Sequence, residues 1–181
     1  MYKRILIVVD QREESRAALN EGLRLASSRD GEVTFLTALP RFPLPLADAP
    51  YHDAGTRHDF DLAAKANADK LLAAARVAAD KAQVMSRGIA WSGEDDVAGI
   101  VETAQRHRCE LIVVASEGRN AVMRLLTGSV IPGLITASPI PVLVCKAATN
   151  DPPSKGAPVA PLRARAARKR AASVAPRQQA H

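Results

Sequence analysis

The sequence predicts an α/β fold, an open, doubly wound parallel sheet of five strands with helices on both faces. Three observations predict it. Strand-like runs are apolar on consecutive positions, as strands buried on both faces are. Helical patterns separate these runs, so strand and helix alternate along the chain. The chain of 181 residues is 47% hydrophobic, enough to fill a core between the layers.

The first run, Ile5 to Val9, is short, β-branched and wholly apolar, and it ends at Asp10. Ser15 opens a helical pattern with Ala18, Gly22, Leu25 and Ala26 on one stripe, and Gly31 closes it. Val33 to Leu39 reads as a second buried strand. Pro40, Pro43, Pro45 and Pro50 then exclude both a helix and a central strand, so residues 40–58 read as a long surface loop. Tyr51, Phe60 and Leu62 are expected to fold that loop over the sheet edge. Residues 59–82 lack Pro and Gly and are rich in Ala and Leu, which predicts a long helix. Val84 to Trp91 is a weaker strand, with Trp91 expected to pack in the core or at an edge. Gly93 marks a turn, and Val97 to His107 a helix that His107 is expected to cap. Leu111 to Ala115 is strongly apolar. A loop with Gly118 and Gly128 follows, Ser129 is placed to cap a helix, and Ile140 to Cys145 is the last strand.

Charge divides the chain in two. Residues 1–146 hold 18 cations and 18 carboxylates. Residues 147–181 hold seven cations against Asp151 alone, so the whole net charge of +6 falls there. This segment also has five of the twelve prolines and no aromatic residue. It cannot bury enough surface to offset the entropy of ordering and is expected to be a disordered basic tail. The domain is expected to span 1–146. No apolar run approaches the ~18 residues of a membrane span. The opening MYKRILIVVD is too short in its apolar part for a secretory leader. Two cysteines cannot make a disulfide framework, and a cytoplasmic location is expected.

In such a sheet, ligands sit beyond the carboxyl ends of the strands, where the strand order reverses. Asp10, the segment after Leu36 and the loop from Ala115 to Ser129 would lie at those ends. Gly118 and Gly128 stand between a buried strand and a helix N-terminus. Backbone amides there can face an anion, and the helix dipole adds favourable potential. A plain strand-loop-helix turn has the same spacing.

On these residues the chain resembles the universal stress protein family, in its single-domain form. The family pattern G-x2-G-x9-G-S/T-V is matched by Ala115, Gly118, Gly128, Ser129 and Val130. The opening KRILIVVD, the segment FLTA and the strands CELIVVA and SPIPVLV are similar to the family's strands. The resemblance covers residues 1–146. It implies a Rossmann-like fold of the adenine nucleotide alpha hydrolase type and a homodimer joined partly through the last strand. It also implies an adenine nucleotide site for ATP, with or without Mg2+. The base would lie near Ala38, the ribose near Asp10 with Val8 and Val9 beside it, and the phosphates on residues 118–130, with Arg119 close by. Three departures stand against this. Ala115 replaces a glycine, Glu117 brings a carboxylate into the loop, and Gln11-Arg12 replaces Gly-Ser.

The remaining constellations are weaker. His52, Asp53, His58, Asp59 and Asp61 match no metal-ligand spacing and read as a solvated polar stretch, so no metal site is expected. Cys109 and Cys145 fall at opposite ends of neighbouring strands, too far apart for a disulfide. No catalytic triad assembles, and Ser116 and Ser129 have no evident base. The reading is of a binding protein before an enzyme, with at most slow ATP hydrolysis. Three functions follow: a dimeric adenine nucleotide sensor in stress response, a dimeric interaction module that binds no nucleotide and serves a protein partner yet unknown, or a weak nucleic acid binder acting through RARAARKR at 163–170. That tail has no aromatic residue to stack on bases, and a solvated tail is its simpler role.

Overall fold

The computed structural model describes residues 2–28, 30–42, 54–116 and 130–146, with backbone alone at 54 and 55. These residues fall in one compact unit, Met1–Ala148. Along the chain run β1 (Arg4–Val8), α1 (Ser15–Ser27), β2 (Glu32–Ala38), α2 (Ala54–Lys81) and β3 (Met85–Trp91). They are followed by α3 (Asp96–Arg106), β4 (Leu111–Ala115), α4 (Val130–Ala137) and β5 (Val142–Cys145). The strands form one five-stranded sheet in the order β3-β2-β1-β4-β5, with every pairing parallel. The strand order therefore reverses between β1 and β4.

The consecutive apolar runs have the cause inferred from sequence. Successive side chains of a strand point to opposite faces, and both faces of this sheet are covered. Ile5, Ile7 and Val9 pack with α1 and α2 on one side, with Leu111, Val113 and Ala115 beside them. Leu6 packs with Ile100 and Ala104 of α3 and Leu134 of α4 on the other, beside Ile112 and Val114. On α2 the buried face is mostly alanine, at 64, 68, 75 and 79, so the helix lies close to the sheet.

Three of the four helix-to-strand turns use one device, the exception being the turn from α4 to β5. Asp30, Gln83 and Arg108 take positive φ, 50°, 55° and 52°, just past the ends of α1, α2 and α3. The next residue's N–H then bonds back five residues, Gly31 to Ala26, Val84 to Ala79 and Cys109 to Ala104. This is the left-handed helix stop that usually takes glycine.

Several boundaries differ from the sequence reading. Residues 54–58 of the expected 40–58 loop are helical, because α2 already begins at Ala54, and residues 43–53 lie outside the described residues. No proline falls between Pro50 and Asp59, so nothing stops the helix from extending back through His58 and Asp59. Phe60 does pack edge-on against Phe42, with centroids 5.3 Å apart and planes at 86°. Leu62 does not cover the sheet, since it is 54% exposed. It sits two residues before Ala64, on the opposite side of the helix. Tyr51 lies outside the described residues. β5 starts at Val142 and not Ile140, since Pro139 and Pro141 have no N–H to give to a ladder. The expected tail, 147–181, is also outside the described residues.

Trp91 packs against the α3 side of the core, and it dictates two glycines. A Cβ on Gly99 would stand 2.2 Å from its ring, and one on Gly93 would stand 2.3 Å away. His107 directly follows α3, its N–H bonded to the Thr103 carbonyl, as a C-terminal cap should be. Cys109 and Cys145 are both free. Ala115 pairs with Cys145 in the ladder, so Cys109 lies six residues down β4 from its neighbour. Burial pushes the thiols of both Cys109 and Cys145 up.

Two predictions follow from this packing. A Cβ on Gly22 of α1 would stand 2.3 Å from Cδ1 of the fully buried Ile7. Gly22→Ala should therefore destabilise by about 1–3 kcal/mol, overriding the ~1 kcal/mol helix-propensity gain. Ile7→Val should cost less beside Gly22→Ala than alone, as urea unfolding of the four-member cycle would show. A neutral or stabilising Gly22→Ala would mean that Ile7 has room to move. The second prediction concerns pH. A thiol raised on folding stabilises fully below its ordinary value, 9.0, and that stability is lost as pH rises through the folded value. The urea midpoint should thus fall more steeply above pH 9 in the native protein than in Cys109→Ala. Equal slopes would remove Cys109 from the account.

Candidate functional site

The carboxyl ends of β1, β2 and β4 open onto a cleft at the reversal of strand order. It has two compartments that share Asp10, Ala38 and Asp96. The smaller, about 180 Å3, is apolar on most sides. Val8, Ala38, Ile100, Val114, Val130 and Ile131 line it, with Arg12 at its polar edge. The larger, about 410 Å3, lies toward α2 and is lined by Gln11, Thr37, Arg41 and Asn67 over an apolar floor.

Asp10 stands just past β1, on the wall that separates the compartments. Its N–H donates to the Ser15 hydroxyl at 3.0 Å, which ties the turn to the first residue of α1. Its carboxylate is held by Arg12. Oδ1 accepts the Arg12 backbone N–H at 2.8 Å, and Oδ2 accepts Nε at 2.8 Å and also Nη2. An aspartate that closes a turn on the N–H two residues on is a familiar turn former. Here the side chain of the same residue completes the grip. Both groups remain about a third exposed, so solvent reaches them.

Asp95 caps α3, accepting the N–H of Val97 at 2.9 Å and of Ala98 at 3.1 Å. That fixes the helix start and turns Asp96 into the cleft. Asp96 meets Arg41 at 3.7 Å, linking the segment after β2 to α3. The pair is well exposed and contributes little to stability. Asp10 and Arg12, and Asp96 and Arg41, thus leave the described walls with balanced charge.

The predicted residues divide into three groups. Val8, Asp10, Ala38, Ala115 and Val130 all line the cleft, as does Val9, whose side chain is 3% exposed. Ala115 is an ordinary strand residue with its side chain in the core, and its φ is not positive. No glycine is required at 115 for backbone conformation. Gly118, Arg119, Gly128 and Ser129 lie outside the described residues, as do Glu117 and the proposed cap of α4. His58, Asp59 and Asp61 belong to α2, while His52 and Asp53 are outside the described residues. Among the described residues no three His, Cys, Asp or Glu groups gather as metal ligands would.

Sequence reasoning missed the second compartment. Its α2 wall is Ala64, Asn67, Ala68 and Leu71, an i, i+3, i+4, i+7 stripe that was legible as a helix face. Asp95 before an apolar periodic run was a readable cap, and it would have located Asp96 at the end of β3. Arg12 was noted only as a departure. That it would close on Asp10 depends on a backbone turn no local pattern announces.

The family model described as the universal stress protein family matches residues 1–146. No curated protein sequence matches the chain. Among solved structures, one of a protein from this family from Burkholderia pseudomallei has 20% identity and a TM-score of 0.65, covering 81% of this chain and 97% of its own. A universal stress protein from Archaeoglobus fulgidus, in complex with dAMP, has 20% identity and a TM-score of 0.57, covering 80% and 98%. A family protein from Arabidopsis thaliana with AMP bound has 17% identity and a TM-score of 0.58, covering 84% and 97%.

Proposed function

The chain belongs to the universal stress protein family, and on that premise we propose that its cleft binds an adenine nucleotide, ATP among the candidates, and that the protein acts as a dimeric sensor. The observation that carries this reading is the junction at Asp10. There an apolar slot between the ends of β1 and β4 meets a carboxylate that only accepts hydrogen bonds. A flat base fits the slot between Ala38 and the Val130 end of α4. A sugar hydroxyl is what an aspartate beyond a first strand accepts in dinucleotide folds. The phosphates would then run toward Gly118, Arg119, Gly128 and Ser129, where backbone amides and the start of α4 suit an anion. Mg2+, if it accompanies ATP, would bind through the phosphates, since among the described residues no carboxylates cluster as metal ligands.

Two solved relatives with adenine nucleotides bound support the choice of base. The role of the described cleft residues in this reading is binding and orientation. The dimer is proposed through β5, which among the described residues is an edge strand paired with β4. Its free edge is a ready surface for a second copy. The beginning of a second reading lies in Asp10 itself, whose hold by Arg12 suits an interaction module with no nucleotide.

Denaturing freshly purified protein and identifying the released small molecules decides between them, followed by titration of the emptied protein with Mg-ATP and AMP. Stoichiometric adenine nucleotide, or saturable binding, is expected. At a hundredfold excess over Kd the ligand should stabilise by about 2.7 kcal/mol. Replacing Gly118 and Gly128 together with leucine should abolish binding and leave the far-UV circular dichroism unchanged. Unchanged affinity in that variant would remove the phosphate assignment. Light scattering should report twice the 19.3 kDa chain mass, and a monomer would overturn the dimer.

A further inference from the structure

We propose that Arg12 sets the sugar specificity of the cleft: it fills most of the acceptor capacity of Asp10, so the site takes ribonucleotides and monodeoxyribonucleotides alike. This rests on the nucleotide reading above. An ionised carboxylate has two oxygens and about four lone-pair positions. On Asp10 three are taken, one on Oδ1 by the Arg12 N–H and two on Oδ2 by Nε and Nη2. One position remains, on Oδ1. A ribose diol offers two hydroxyl donors, and both cannot be accepted there. Either hydroxyl alone can be.

Arg12 is not a loose cation that a sugar hydroxyl would displace. Its backbone and side chain grip the same carboxylate, and the Asp10 N–H is tied separately to Ser15, which is 5% exposed. A neutral hydroxyl replacing Nε and Nη2 would exchange charge-assisted bonds for weaker ones. Arg12 also lines the smaller compartment, so the pairing lies in the ligand's path. Asp96, the other described carboxylate of the cleft, pairs with Arg41.

The test is isothermal titration of the full chain, emptied of ligand, with AMP, 2′-deoxy-AMP and 2′,3′-dideoxy-AMP, in the native protein and in Arg12→Met. In the native protein, AMP and 2′-deoxy-AMP should bind within about threefold of each other, and the dideoxy analogue about tenfold or more weaker, the loss of one bond to a charged group. In Arg12→Met, Oδ2 is released, and the preference for AMP over 2′-deoxy-AMP should rise to about tenfold or more. A native preference of tenfold for AMP, or a ratio unaltered by Arg12→Met, would overturn the inference and leave nucleotide binding standing. No binding of any analogue to either protein would overturn both. Far-UV circular dichroism of Arg12→Met checks that the fold is kept.

Discussion

Ile5, Leu6 and Ile7 are completely buried, and they alternate between the two faces of the sheet. β1 therefore has no face to give to solvent and no edge to give to a partner, since β2 and β4 flank it. The helices must cover both sides, and the crossovers must run in opposite directions from it. A cleft then opens beyond the carboxyl ends of β1 and β4. Once β1 is fixed as the central strand, the position of the cleft is no longer free. The side chains that reach it are those at the strand ends, where the apolar pattern stops. Asp10 is the first charged residue after the buried run of β1, and it lies in the cleft for that reason.

Packing around β1 also limits what the neighbours can be. α1 approaches so closely that position 22 admits only a hydrogen above Ile7. On the other face, Trp91 claims the space above positions 93 and 99. These glycines answer close approach and not flexibility. The helix-to-strand turns do the reverse, holding Asp30, Gln83 and Arg108 in a conformation that glycine would adopt more easily. Each such residue costs on the order of 1 kcal/mol, which the hydrogen bonds of the turn and the burial of the following strand offset.

The fold was legible in the sequence to the level of fold class and layers, and the strand order came from the structure. Consecutive β-branched runs have one physical meaning, burial on both faces, and local patterning records it. β4 is found at the residues read for it, Leu111–Ala115. The errors fell where local chemistry is permissive. Nothing between Pro50 and Asp59 forbids a helix, so its first turn could not be read. Pro139 and Pro141 were visible but were not weighed against the start of β5. In the site, Asp10 and Ala38 were legible because they end buried runs. The α2 wall was not, because Ala64, Asn67 and Ala68 carry no chemistry until another element faces them. Arg12 was legible as a residue and not as a contact, since a turn sets its direction.

On the proposed reading, the grip of Arg12 on Asp10 would act on a nucleotide in two opposite ways. It removes acceptor positions, and a hydrogen bond to a charged group contributes about 1.5–3 kcal/mol. It also cancels the charge of a carboxylate facing the cleft. Two like unit charges ~4 Å apart repel by about 4 kcal/mol at an effective dielectric of 20, and less at a wetter surface. The two magnitudes are comparable, so the pairing exchanges recognition of the sugar for tolerance of the phosphates. The apolar slot is untouched by either effect and keeps its preference for a flat ring. On the proposed nucleotide reading, a cleft built this way would discriminate by base and by charge, with the sugar as the part it reads least.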